Sequence, residues 1–96
     1  MASGRSKIDA VVVNERDNVA VALRDIKPCE KILVSIKDKT LELIVKDFIR
    51  RGHKIALYDI KRGEYIIKYG EVIGVATEDI ERGRHVHCHN VKSARV

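Results

Sequence analysis

The amino-acid sequence predicts an all-β fold built mostly of short, curled strands. Apolar residues never sustain the i, i+3, i+4 stripe expected of an average helix of about 11 residues. They fall instead into short β-branched runs broken by glycines and by charged turns. One local pattern, Ala-x-x-Asp-Ile-x-x-(Gly/Cys)-x-x-(Ile/Val), occurs three times, over residues 22–32, 56–66 and 76–86. Copies 34 and then 20 residues apart describe a reused turn, not a solenoid of fixed period.

The elements follow in order. Residues 1–7 form a flexible N-terminal tail, and residues 8–96 form a single domain. Residues 8–13 open it as an apolar β-branched run, and residues 19–23, 32–36 and 41–45 follow as strands. The last two are separated by the turn-like Lys37-Asp38-Lys39. Residues 45–51 read as one helical turn before Gly52, so the fold holds at most one or two short helical turns. Residues 54–57, 65–68, 71–75 and 85–89 complete the strands. Within the repeat, the Asp side chain is expected to accept from main-chain N–H groups just beyond it, as in an Asx-turn. The Ile packs inward, and Gly supplies a positive φ. Cys29 stands in that glycine's place in the first copy, after Pro28, which puts a positive φ there in question.

Composition removes several classes of function. The chain has 96 residues, 45% of them hydrophobic and 34% charged, which is globular and not disordered. A domain this small does not readily enclose a deep catalytic cavity, so a module working against something larger is expected. No apolar run approaches the roughly 18 residues of a membrane span, and no apolar segment backs the charges of the N-terminus. Two cysteines, Cys29 and Cys88, lack metal-ligand spacing and are too few for a disulfide framework, so a cytoplasmic protein with reduced thiols is expected. The net charge of +5 invites nucleic acid, but there is no Trp, and one Phe with three Tyr offers little stacking surface. Basic and acidic residues are also interspersed, with no dense basic stripe.

Three constellations carry possible chemistry. In His85-Val86-His87-Cys88-His89-Asn90 the side-chain period of two places three imidazoles on one strand face and sends Val86 and Cys88 to the other. In an extended strand the outer two lie about 13 Å apart, too far for one ion with Zn–N bonds of about 2.0–2.1 Å. Two of the three with His53 make a more realistic site, and an exposed strand face without a ligand explains the pattern equally well. Lys68 and Tyr69, at a strand end before Gly70, suit anion binding or proton transfer, although an ordinary solvated hairpin is the plainer reading. Asp17-Asn18 reads first as a turn.

Taken together, residues 17–23, 52–57, 67–74 and 85–90 resemble, in order, the N-terminal domain of the altronate and galactarate dehydratases. That domain also occurs as a separate small subunit, as in sulfolactate sulfo-lyase. The resemblance spans residues 8–92 and implies an SAF domain of β-clip fold, with the repeated turn as its signature. It implies a lyase that removes water from a 2,3-dihydroxy acid such as altronate to give a 2-keto-3-deoxy acid, dependent on ferrous iron or manganese. It implies His53, Lys68 and His87 as catalytic residues and His53, His87 and His89 as metal ligands. Asn18, Lys54, Tyr69 and Asn90 become substrate contacts, with Lys54 and Lys68 holding the carboxylate; His85 sits at a less demanding position. Such chemistry needs a base beside the carboxylate, a cation for the enediolate and an acid for the departing hydroxide. Better-known members carry a large catalytic domain fused after this one, so a small subunit docked on a separately encoded large subunit is expected. A non-enzymatic SAF module binding carbohydrate or anions is the alternative; nucleic-acid binding predicts instead a steep salt dependence.

Overall fold

The computed structural model describes residues 7–94, and the tail expected over residues 1–7 lies outside them except for Lys7. Among the described residues nine strands form two sheets. The larger has the order β4 (Lys39–Ile44), β3 (Lys31–Ile36), β1 (Ala10–Val12), β2 (Val19–Ala22), β5 (Lys54–Ala56), β8 (His85–Val86). The smaller is β6 (Tyr65–Lys68), β7 (Glu71–Ala76), β9 (Val91–Ser93). The β1–β3 pair is parallel and every other pair is antiparallel. The all-β expectation holds, and no helix among the described residues is long and apolar enough to cross a membrane.

The period-two alternation of β2 and β5 divides the interior. Ala20 and Ile55 face one apolar cluster with Ile26, Ile32, Val34 and Ile49, while Val19 and Ala56 face a second with Ile60, Ile66, Ile80 and Val86. Both faces of these two strands are therefore buried, which is why their sequences are nearly all apolar. Each fully buried Ile contributes about 1.5–3 kcal/mol.

The repeated turns clasp one another in pairs. Ile60 and Ile80 exchange main-chain bonds of 2.8 and 2.7 Å, Asp59 Oδ1 accepts from Arg82 N at 2.9 Å, and Asp79 Oδ1 accepts from Arg62 N at 2.9 Å. The Asp carboxylates thus cap a distant turn, not the N–H groups just beyond them. Those local positions already have an acceptor, since Lys27 N donates to Glu30 and Lys61 N to Glu64. The first copy has a partner that the sequence reading missed. Ile26 pairs with Ile49 at 2.8 Å in both directions, and Asp25 Oδ1 accepts from Arg51 N at 2.8 Å. Residues 48–52, Phe-Ile-Arg-Arg-Gly, are therefore a fourth, degenerate copy with Phe48 in the Asp position. The reciprocal bond is missing from both ends, because Phe48 has no acceptor and Pro28, opposite, has no N–H.

This pairing overturns the helical turn expected over residues 45–51: the Ile26 bridge holds Ile49 extended, and a turn at Arg51–Gly52 follows. Cys29 keeps the positive φ of its slot, +73° against +87° to +92° for Gly52, Gly63 and Gly83. Its N–H donates to Val45 O at 2.7 Å, which fixes the conformation that glycine would adopt more freely.

Candidate functional site

The site forms where β5 meets β8. Lys54 pairs with Val86 and Ile55 with His85, so the same register carried one residue further sets His53 opposite His87. The rings follow that register. His53 and His87 stack with centroids 4.2 Å apart and planes 9° apart, and His85 stacks on His53 at 5.1 Å and on His87 at 5.3 Å. His53 Nδ1 and His85 Nε2 lie 2.9 Å apart and share a hydrogen bond. One nitrogen from each of His53, His85 and His87 falls within 4.8 Å of the others.

The chain does not stay extended through residues 85–89, as the sequence suggested. Strand β8 stops at Val86 and residues 88–90 turn. Asn90 makes the turn: its Oδ1 accepts from His87 N at 3.0 Å, its Nδ2 donates to His85 O at 2.8 Å, and its own N–H reaches His87 O at 3.0 Å. Thr77 N bonds Asn90 O at 2.9 Å, tying the turn to the smaller sheet. Val86 is buried as expected, whereas Cys88, on the turn, is exposed. His89 is exposed too, yet the turn brings its ring to 5.2 Å from His85 at a 32° tilt, far closer than an extended strand allows.

Asp47 holds the other side of β8, accepting from His85 N at 2.9 Å and from Arg84 at 3.0 Å. Partial burial works to raise its pKa, but the His85 N–H and the Arg84 guanidinium outweigh it and hold the carboxyl below its ordinary value. Burial, followed by the neighbouring His89, His53 and His87 rings, pushes His85 down to about 4 against the pull of Asp47. Burial, His53, Lys54 and His89 push His87 down as well. Both shifts favour the neutral imidazole, the form that offers a lone pair. His87 Nδ1 is buried without a hydrogen-bond partner, an orphaned acceptor or donor of the kind that an ion or ligand would satisfy.

Beside the imidazoles stands a cationic pair. Half-buried Lys54 has its pKa lowered by burial first and by the Lys68 charge second, with Cys88 opposing. Lys68 Nζ lies 4.8 Å from the centroid of the Tyr69 ring, a cation–π contact at the tip of the β6–β7 hairpin. Tyr69 and Gly70 form the two-residue turn, with φ of +57° and +78°. Buried Asp17 clamps it, its carboxylate accepting from Tyr69 N at 3.0 Å and Gly70 N at 2.8 Å.

The residues singled out from sequence separate by what they touch. His53 and His87 converge, joined by His85; Lys54 and Lys68 share one field, with Tyr69 beneath the Lys68 charge. Asn18 is engaged elsewhere: its Oδ1 accepts from Ile67 N at 2.8 Å and its Nδ2 donates to Tyr65 O at 2.9 Å, so it caps the β6 edge. Asn90 is 4% exposed and turned inward. Sequence reasoning ranked His85 low and passed over Asp47 and Asp17 as main-chain clamps. The signal available for the first was the Ile-x-x-Gly spacing at Ile49 and Gly52, which sets the register of His53.

Comparison with known proteins shows the family of the domain that carries this cluster. The chain is 46% identical over 86 residues to the altronate dehydratase of Bacillus subtilis (strain 168), covering 86% of this chain and 16% of that enzyme. It is 45% identical over 83 residues to the Escherichia coli (strain K12) altronate dehydratase, again covering 16% of that enzyme. The chain thus spans about one sixth of the length of these two relatives. It is 41% identical over 91 residues to the (2R)-sulfolactate sulfo-lyase subunit alpha of Chromohalobacter salexigens, covering 92% of this chain and 97% of that subunit. The altronate/galactarate dehydratase SAF domain model matches residues 8–94, and with altronate dehydratases and a sulfo-lyase alpha subunit all above 40% identity the chain belongs to this domain family.

Proposed function

We propose that the chain is the small subunit of a hydro-lyase that dehydrates a 2,3-dihydroxy sugar acid, of the altronate or galactarate type, to a 2-keto-3-deoxy acid. The observation that carries this reading is the near full-length match to a sulfo-lyase alpha subunit, joined to a face where neutral imidazoles stand beside two lysines. The large dehydratase subunit is its partner and supplies the rest of the pocket.

In the reaction the C–H bond beside the carboxylate breaks to a base, and the C3–O bond breaks with a proton added so that water leaves. The enol that remains tautomerises to the 2-keto acid. Lys54 and Lys68 hold the carboxylate, since a half-buried ammonium beside a second one gains most from an anion. Tyr69 steadies Lys68, and Lys68 serves as the proton donor to the departing hydroxyl. The implied divalent ion, ferrous iron or manganese, fits the imidazole cluster with its orphaned nitrogen and would supply Lewis acidity towards the enediolate. Asn18 and Asn90 hold the β6 edge and the 88–90 turn through their side-chain hydrogen bonds.

The test is co-expression with a large dehydratase subunit, followed by assays on altronate, galactarate and sulfolactate with ferrous iron. Turnover is expected with the partner and not without it; Lys54→Met is expected to raise KM, and Lys68→Met to raise KM and lower kcat as well. Failure on all three acids in the complex, together with saccharide binding by the isolated chain, would replace the lyase reading with that of a carbohydrate- or anion-binding module.

A further inference from the structure

We infer that the buried Asp17 carboxylate is a positioning residue for Lys68, the proton donor of the lyase reading on which this rests. It holds Tyr69 in the left-handed conformation that sets its ring against the Lys68 ammonium, and it ties that hairpin tip to the strands that carry Lys54. A two-residue hairpin loop with positive φ at both positions is a type I′ turn, which favours Asn or Gly at the first of them. Here that position holds Tyr69 at φ +57°, an outlier conformation for a bulky side chain. Burial of the ring does not offset the strain, since Tyr69 is 54% exposed. The turn is instead held from outside. Asp17 Oδ2 accepts from Tyr69 N at 3.0 Å and from Asn14 N at 3.2 Å, and its Oδ1 accepts from Gly70 N at 2.8 Å. Asn14 fills the space beside Gly70, its Nδ2 lying 2.8 Å from where a Cβ would sit, so glycine suits the second position.

The neighbouring Asn18 extends this hold along β6. Its side chain brackets the strand at Tyr65 O and Ile67 N, and its own N–H donates to Ile67 O at 3.2 Å. Its carbonyl accepts from Leu57 N, one residue past β5, at 2.9 Å. Strand β5 carries Lys54, opposite Val21 of β2. Asp17-Asn18, at the entrance to β2, thus joins the tip bearing Lys68 and Tyr69 to the strand pair bearing Lys54. Backbone strain persists only where surrounding contacts over-determine it, and it gathers at functional sites. The product of this strain is Lys68 Nζ set 4.8 Å from the Tyr69 ring centroid. An ammonium placed in advance loses less freedom when it meets its substrate. A turn that served the fold alone would be better made by Asn-Gly.

NMR of the 96-residue chain reads the clamp without turnover. In the unmodified chain the Lys68 Hε protons should be shifted upfield by the Tyr69 ring. Asp17→Asn keeps the size of the side chain but sets an amide donor against one of the two turn N–H groups. It should erase that shift and lower the exchange protection of the Tyr69 and Gly70 amides at least about tenfold, while protection in β2 and β5 stays. Gly63→Ala, strained at a different turn, should leave the Lys68 shift in place. Should Asp17→Asn fail to fold, Tyr69→Asn decides: it should raise the urea midpoint by relieving the strain, and a lower midpoint overturns the assignment. In the complex with a large dehydratase subunit, Asp17→Asn should lower kcat/KM about 10–100-fold, the scale of a misplacement near 1 Å. Asp17→Asn combined with Lys68→Met should be no slower than Lys68→Met alone, because nothing remains to be positioned. Losses that multiply in the double variant, or an unchanged Lys68 shift in Asp17→Asn, overturn the assignment. A parent complex without turnover overturns the lyase reading instead, and the resonance measurements still decide whether Asp17 sets Lys68.

Discussion

Replacing Asn90 with Ala separates a structural clamp from a substrate contact. The side chain makes two hydrogen bonds, to His87 N at 3.0 Å and to His85 O at 2.8 Å, and is 4% exposed. Net, two such bonds contribute about 1 kcal/mol each, and stranding the two main-chain groups in a partly buried setting raises the cost towards about 2–4 kcal/mol in all. At about 4–8 °C per kcal/mol for a domain of this size, Tm should fall by roughly 8–32 °C. Asn90→Asp keeps the acceptor for His87 N but turns a carboxylate oxygen on His85 O, so it should recover little of the loss. The assay is urea and thermal unfolding followed by circular dichroism, beside Co²⁺ titration of the folded fraction. A variant within about 0.5 kcal/mol of the parent, the usual span of inconsequential surface changes, refutes the clamp and returns Asn90 to the substrate pocket.

Three further outcomes follow from the same geometry. Gly63→Ala and Gly83→Ala both force a side chain to positive φ, at about 1–2 kcal/mol. A Cβ at Gly63 meets nothing, whereas at Gly83 it runs into the main-chain oxygen of Ile44, so Gly83→Ala should cost about 1–3 kcal/mol more; equal urea midpoints would contradict this. Cys29→Gly should stabilise by about 0.5–1 kcal/mol, because relief at φ +73° exceeds the added freedom of the unfolded chain, and a lower Tm would count against it. Asp47 has its pKa held down by the His85 N–H and Arg84, so its contribution is present above the unfolded value of about 3.9 and is lost as pH falls through the lower folded value. Asp47→Asn should therefore flatten the acid-side decline in stability below about pH 4, which unfolding curves at several pH values would detect.

The alternation of apolar residues, the glycines and the thrice-used Asp-Ile turn determined the all-β class and most strand positions. They did so because period-two burial and positive φ are local properties, written within a few neighbouring residues. The four linked segments likewise pointed to the family. The fourth turn at residues 48–52 keeps only the Ile-x-x-Gly spacing of the pattern, with Phe48 in place of Asp, and its identity rests on a bridge to Ile26. The helical turn expected there failed for that same reason.

At the site, residue types were legible from sequence and their partners were not. Three histidines at period two suggested an extended face with its ends about 13 Å apart. Only the turn closed by Asn90 and the register of β8 on β5 brought His53, His85 and His87 to nitrogens within 4.8 Å, and only the folded chain sets the Asn18 side chain on the main chain of Tyr65 and Ile67. Sequence by itself determined which side chains this domain possesses and the strands that carry them. The tertiary structure decided which of them meet, because a register between strands some 30 residues apart is set by packing and hydrogen bonds that no local pattern encodes.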